Sequence, residues 1–136
     1  MDRAKLDAFV EWAPYLRVVE VDGGLAGLIV GLLEDAPYDS PNFGWFAEHY
    51  DAFAYVDRVA IAEANRGEGW GPALYRDFEA WAGGQGRRTL CAEVNTVPPN
   101  PRSLRFHDLF GFDMVGQFEP NGSPDYKVGL MVKTLR

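Results

Sequence analysis

Cysteine is almost missing from this chain: Cys91 is the only one in 136 residues. A lone thiol closes no internal disulfide and builds no cysteine-based metal motif, which agrees with a reducing compartment and predicts no metal. Long apolar runs are missing too. No stretch approaches the roughly 20 consecutive apolar residues of a membrane helix, and the opening Met1-Asp2-Arg3-Ala4-Lys5 lacks the basic-then-apolar order of a secretion signal. A soluble, cytoplasmic protein with no membrane partner is expected. Basic charge is scarce, with 13 Lys and Arg against 20 Asp and Glu and a net charge of −7, which removes the electrostatic footprint of a nucleic-acid partner. There is no internal repeat, charge run or low-complexity linker, so one domain over residues 1–136 is predicted.

Apolar side chains, by contrast, are plentiful. At 47% hydrophobic and 14% aromatic, the chain can bury enough surface to offset chain entropy. Charge is unevenly spread. Residues 1–57 hold eleven acids against three bases, a net −8, which leaves +1 for residues 58–136. Arg87, Arg88, Arg102 and Arg105 accumulate between Gly84 and His107, opposed there only by Glu93.

Apolar spacing predicts a helix over Asp2 to Trp12, carrying Leu6, Phe9, Val10 and Ala13 and stopped by Pro14. Strands over Leu16–Val21 and Leu25–Leu33 are separated by Asp22-Gly23-Gly24, a hairpin turn. Glu34 to Asp51 reads as a loop through its Asp, Pro and Asn content, allowing one helical turn near Trp45 to Tyr50; His49 is read as a loop residue. A strand over Phe53–Ala62, a helix over Pro72–Trp81 stopped by Gly83-Gly84, and a strand over Thr89–Val94 imply a right-handed crossover joining a parallel pair. A helix over Pro101–Phe110 and strands near Phe112–Phe118 and Tyr126–Leu135 complete a mixed α/β (α+β) sandwich around a largely antiparallel sheet.

The segment Arg66-Gly67-Glu68-Gly69-Trp70-Gly71 lies between a strand and a helix. The first N–H groups of such a helix point outward unpaired, glycines let an anion approach without a Cβ in the way, and the helix dipole adds partial positive charge. A diphosphate seat is the functional reading, with Arg66 able to reinforce it; a turn that binds nothing is the bland one. A Walker loop is excluded because Pro72-Ala73 stands where Lys-Ser/Thr is required. A dinucleotide-binding fold is disfavoured because the loop follows an antiparallel hairpin in mid-chain.

Two segments carry a resemblance to a known family. Val59-Ala60-Ile61-Ala62-Glu63-Ala64-Asn65-Arg66-Gly67-Glu68-Gly69-Trp70-Gly71 resembles the strand and Arg/Gln-x-x-Gly-x-Gly/Ala loop of the GNAT superfamily of acetyl-CoA-dependent N-acetyltransferases. Asn100-Pro101-Arg102-Ser103-Leu104-Arg105-Phe106-His107-Asp108-Leu109-Phe110-Gly111-Phe112 resembles its later Asn, small residue, aromatic pair and Gly-Phe segment. The resemblance implies a splayed pair of parallel strands that admits acetyl-CoA as co-substrate. It also implies Val59, Ala60 and Ile61 running beside the pantetheine arm, the loop from Arg66 through Gly67, Glu68, Gly69 and Trp70 to Gly71 on the diphosphate, and Asn100 and Ser103 near the thiol end. The acceptor would be an amine, and the acidic first half suits a cationic one.

Amine acylation needs a polarised carbonyl, a base for the amine and an acid for the thiolate. By the resemblance, a backbone N–H near Val59 or Ala60 serves the carbonyl, and His107 stands where the family often has a sulfur-protonating tyrosine. A lone helical histidine is more often packed or at the surface. Asp57 is the favoured base; Glu93 on the next strand and a water chain are the alternatives. Cys91 reads as a core residue, and Trp12, Trp45, Phe46 and Tyr50 as core or cleft lining. The family's usual first strand and helix have no match here, which leaves open an acceptor cleft that is incomplete or completed by a partner subunit, as in a homodimer. Two other readings stand beside the enzyme: a CoA-binding regulatory or scaffold module without turnover, and a sandwich with no ligand.

Overall fold

The computed structural model describes residues 13–136, so the helix expected over Asp2 to Trp12 lies outside the described residues. Strand β1 (Tyr15–Val21) turns back into β2 (Gly24–Leu33) through Asp22 and Gly23, whose φ values of 52° and 80° are the left-handed pair that a two-residue hairpin turn needs. Helix α1 (Pro41–His49), β3 (Ala54–Ile61), a 3₁₀ turn (Glu63–Asn65) and α2 (Trp70–Gly84) follow. The chain ends with β4 (Thr89–Val97), α3 (Pro101–Leu109), β5 (Asp113–Phe118) and β6 (Lys127–Thr134). The six strands lie in the order β1-β2-β3-β4-β6-β5, antiparallel except for β3 beside β4.

Three elements differ from the sequence expectation. Residues 34–51 contain a nine-residue helix instead of a loop with one turn, because Pro41 suits the first helical position and Phe43 and Phe46 are buried on one side. His49 therefore lies in the last turn of α1, where its Nδ1 donates to the Trp45 carbonyl at 2.7 Å and its ring stacks on Trp45. Helix α2 runs through Gly83-Gly84 and stops at Gly86, whose φ of 75° lets the Arg87 N–H turn back to the Ala82 carbonyl at 2.9 Å. β4 continues past Val94 to Val97.

Period-two alternation splits the core between the two faces of the sheet. One side joins Ala54, Val56, Leu90, Ala92 and Val94 to Leu74, Tyr75, Phe78 and Ala82 of α2, with Leu104 and Phe106 of α3 at its margin. The other joins Tyr55, Cys91, Val128 and Leu130 to Phe43 and Phe46 of α1. Helix α2 approaches β2 so closely that a Cβ on Gly31 would lie 2.6 Å from Phe78 Cε1. β2 is thus held from both sides, and β3 is held at the edge it shares with β2.

Candidate active site

β3 and β4 pair only at Ala54↔Leu90 and Tyr55↔Cys91, although β3 runs on to Ile61 and β4 to Val97. Beyond Tyr55 the strands part. The expected splayed pair is present, and the edge of β3 turned away from β2 carries unpaired main-chain groups over Val56 to Ile61. Val59, Ala60 and Ile61 lie along this edge, and β2 holds them from behind through Ile29, Leu28 and Gly27. One extra residue, Asp57, bulges out of β3 between the positions paired with Val30 and Gly31.

The glycine loop follows where β3 ends. Gly67 and Gly69 have φ values of 81° and 89°, and a Cβ on either would meet no atom within 4 Å. Gly69 caps α2 with no side-chain hydrogen bond, and Pro72 supplies no N–H, so the donors at this terminus are main-chain groups up to Gly71. Among the described residues none of the N–H groups from Gly67 to Gly71 has a hydrogen-bond acceptor. Glu68 is turned aside: its Oε1 accepts from Asn65 Nδ2 at 3.1 Å and Trp70 Nε1 at 3.2 Å, bracing the loop from within. Arg66 and Trp70 flank it, Arg66 exposed. Open left-handed glycines beside unpaired donors fit an anion with several oxygens.

Helix α3 closes the same end of the split, with Phe106 Cε1 3.8 Å from where a Gly71 Cβ would sit. Asn100 caps it through Oδ1, which accepts the Ser103 N–H at 3.1 Å. His107 is 3% exposed. Its Nδ1 lies 2.8 Å from the Ser103 carbonyl, which can only accept; Nδ1 therefore carries the proton, and Nε2 accepts from the Tyr75 hydroxyl at 2.6 Å. Burial lowers its pKa, so the ring is neutral and both nitrogens are engaged inside the core. His107→Phe should therefore orphan the Tyr75 hydroxyl and the Ser103 carbonyl, costing about 1–3 kcal/mol of stability while leaving turnover near the parent level. Adding Tyr75→Phe should recover part of the loss in chemical denaturation, because both partners are then gone. In the parent, the contribution of the neutral ring is complete above its ordinary value of 6.5 and falls as pH drops below it.

The α1 side of the split holds two carboxyls. Glu93 Oε1 accepts from the Tyr55 hydroxyl at 2.8 Å; the Asn42 side chain lies beside the same carboxyl, while Glu93 Oε2 and Asn42 Oδ1 are buried without a well-formed hydrogen bond among the described residues. Burial pushes the Glu93 carboxyl up to about 7, the Tyr55 hydrogen bond pulls it down, nearby Asp57 raises it again, and Asn42 lowers it. Burial, and after it a hydrogen bond donated to Asp57, raise the pKa of the Tyr38 hydroxyl. Cys91, between the parallel pair and the α1 core, is fully buried and its thiol is held far up by burial, as suits a packing residue. No group of three or more His, Cys, Asp or Glu placed to hold a metal occurs among the described residues, and no helix among them is long and apolar enough to cross a membrane.

Two carboxyls on one wall, an open strand edge, and a glycine loop with unpaired N–H groups at the end of that strand meet at the split between β3 and β4. The sequence profile of the Acetyltransferase (GNAT) family matches residues 1–112, and the chain belongs to this family of acetyltransferases. Comparison with curated protein sequences gave no match. Among solved structures, Ard1 from Thermoplasma volcanium is 24% identical with a TM-score of 0.73, covering 97% of this chain and 78% of its own. Naa20 from Chaetomium thermophilum, in complex with a bisubstrate analogue, is 22% identical with a TM-score of 0.74 over 97% of this chain and 72% of its own. A GNAT family acetyltransferase from Elizabethkingia anophelis with acetyl-CoA bound is 15% identical, with a TM-score of 0.68 over 98% and 84%. These similarities show the mixed, mostly antiparallel fold with its single parallel pair.

Proposed function

We propose that the protein transfers an acetyl group from acetyl-CoA to a primary amine of a small molecule or peptide, by direct attack within the split. The observation that carries this reading is the continuity of the open β3 edge with the unpaired N–H groups of Gly67 to Gly71. The edge suits a pantetheine arm laid down as a neighbouring strand, and the loop suits a diphosphate, with Arg66 adding charge. Asn100 and Ser103 lie towards the thiol end. The main chain at Val59 and Ala60 supplies the N–H that polarises the thioester carbonyl, a fixed donor needing no reorganisation.

In this reading a bound ammonium first gives one proton to solvent, and Glu93 acts as the base for the next, taking it from the attacking nitrogen as its lone pair forms the C–N bond and the C–S bond breaks. A carboxyl near 7 is half ionised at neutral pH and is basic enough to accept that proton. Asp57 is its partner, drawing a cationic amine to the mouth of the split and raising the Glu93 pKa. With both ring nitrogens of His107 engaged, the departing thiolate takes its proton from solvent. A binding module without turnover is favoured by that same engagement of His107, and it predicts stabilisation by acetyl-CoA with no release of CoA.

Release of CoA over a panel of small amines and peptides, followed from pH 5 to 9, separates these readings. The enzyme reading expects kcat/KM to rise through a limb near pH 7. Tyr55→Phe, which removes the hydrogen bond holding the Glu93 pKa down, should move the limb up by about half a unit to one unit. Asp57→Asn, which removes a neighbouring charge, should move it down. Limbs that stay in place in both variants would take Glu93 out of the reaction.

A further inference from the structure

We infer that the protein carries a second anion site at the paired end of β3 and β4, a pocket whose ligand is a small molecule bearing two or more linked phosphates. The glycine loop sits at the start of α2. About 22 Å away, the rise of 15 helical residues, the other end of α2 borders a cavity of about 620 Å³ lined by Arg76, Arg87, Arg88 and Arg136, with Gly83 and Leu135 among its uncharged walls. Arg87 and Arg88 begin the arginine accumulation seen in the sequence, and acetyl transfer at the split makes no use of them.

In a chain of net charge −7, Glu34 and the lining residue Glu79 are already paired, while Asp35 lies near Arg87. Glu79 pairs with Lys133, and Glu34 takes Nε and Nη2 of Arg87, whose Nη1 donates to the Gln85 carbonyl at 2.7 Å. Arg87 is thus a fixed wall. The side chains of Arg76, Arg88 and Arg136 have no ion-pair or hydrogen-bond partner among the described residues, Arg88 using only its carbonyl, which accepts the Leu135 N–H at 2.6 Å. The carbonyl end of α2, which would repel an anion, is quenched: Gln85, Gly86 and Arg87 donate to the carbonyls of Trp81, Gly83 and Ala82 at 3.0, 3.0 and 2.9 Å.

The volume is that of a small-molecule pocket, and guanidinium groups from Arg76, Arg88 and Arg136 border it, so charge is what would select an anionic ligand. Arginine forks match phosphate oxygens, and cations drawn from α2, from the approach to β4 and from the segment after β6 call for more than one anionic group. Gly83 faces open space at this pocket, so a larger side chain there fills it without a clash and without changing charge.

Pyrophosphate titrated calorimetrically into the parent, Arg76→Ser with Arg88→Ser, Gly83→Leu and Gly69→Val tests the site. Binding that weakens at least tenfold in the double arginine variant and in Gly83→Leu, yet survives in Gly69→Val, is the expected pattern. Gly69→Val alters only the loop at the far end of α2, and any pyrophosphate held by that loop is the part lost in this variant, so the binding that survives it reports the second site whether or not acetyl-CoA binds at the loop. No binding to the parent, equal binding to all four proteins, or loss confined to Gly69→Val would overturn the inference. Melting curves for each variant show that the fold is retained.

Discussion

Glu93→Gln is expected to lower kcat/KM by about 10²- to 10⁴-fold, the range lost when a positioned general base is removed. The amide keeps the volume of the carboxyl and an oxygen for the Tyr55 hydroxyl, so the loss is one of proton acceptance. Stability should move the other way. The folded-state value of about 7 stands above the ordinary 4.5, so the native state holds a proton that the unfolded chain gives up at lower pH. The associated stability is complete below pH 4.5 and is lost as pH rises through about 7. Glutamine never ionises and avoids that loss, so at pH 8 the variant should melt above the parent while turning over far more slowly. A slow variant that also melts lower would point to damage in the strand and not to missing chemistry.

Gly69→Val should weaken acetyl-CoA binding by about two orders of magnitude. Two effects add. At a φ of 89° a β-branched residue is strained by about 1–3 kcal/mol, and its relaxation turns the neighbouring N–H groups away from a common centre. Its methyl groups also enter the open space in front of the loop, where nothing in the protein lies within 4 Å of a Cβ, which is where the diphosphate must sit. Losing one charge-assisted hydrogen bond costs about 1.5–3 kcal/mol, so either effect alone would be measurable. Because the position is exposed, unliganded stability should fall only by the strain, and calorimetric affinity is the discriminating readout.

The loop was legible because its signals are local. Glycines at 67, 69 and 71 between a β-branched strand and an amphipathic helix specify turn, donors and dipole within a few residues. The hairpin at Asp22-Gly23 was legible for the same reason. Helix α1 was hidden because Pro37, Asp39, Ser40, Pro41, Asn42 and Gly44 are all loop-forming by themselves, and only burial of Phe43 and Phe46 against the sheet makes a helix of them. The carboxyl wall was half legible. Glu93 stands out as an acid within the apolar strand Thr89-Leu90-Cys91-Ala92-Glu93-Val94, a position that needs a partner once buried. That partner is Tyr55, 38 residues earlier, and neither it nor Tyr38 or Asn42 could be found by spacing. His107 turned on a similar long-range fact. Its helical phase fits either side of α3, and Tyr75, 32 residues away, holds its ring inside the core.

Amide hydrogen exchange resolved by residue, with and without acetyl-CoA, tests the central claim most directly. Slowed exchange confined to alternate amides of Val56 to Ile61 and to Gly67 through Gly71, with β1 and β2 unchanged, is the pattern predicted. Saturation by acetyl-CoA that leaves those amides exchanging as before would contradict it.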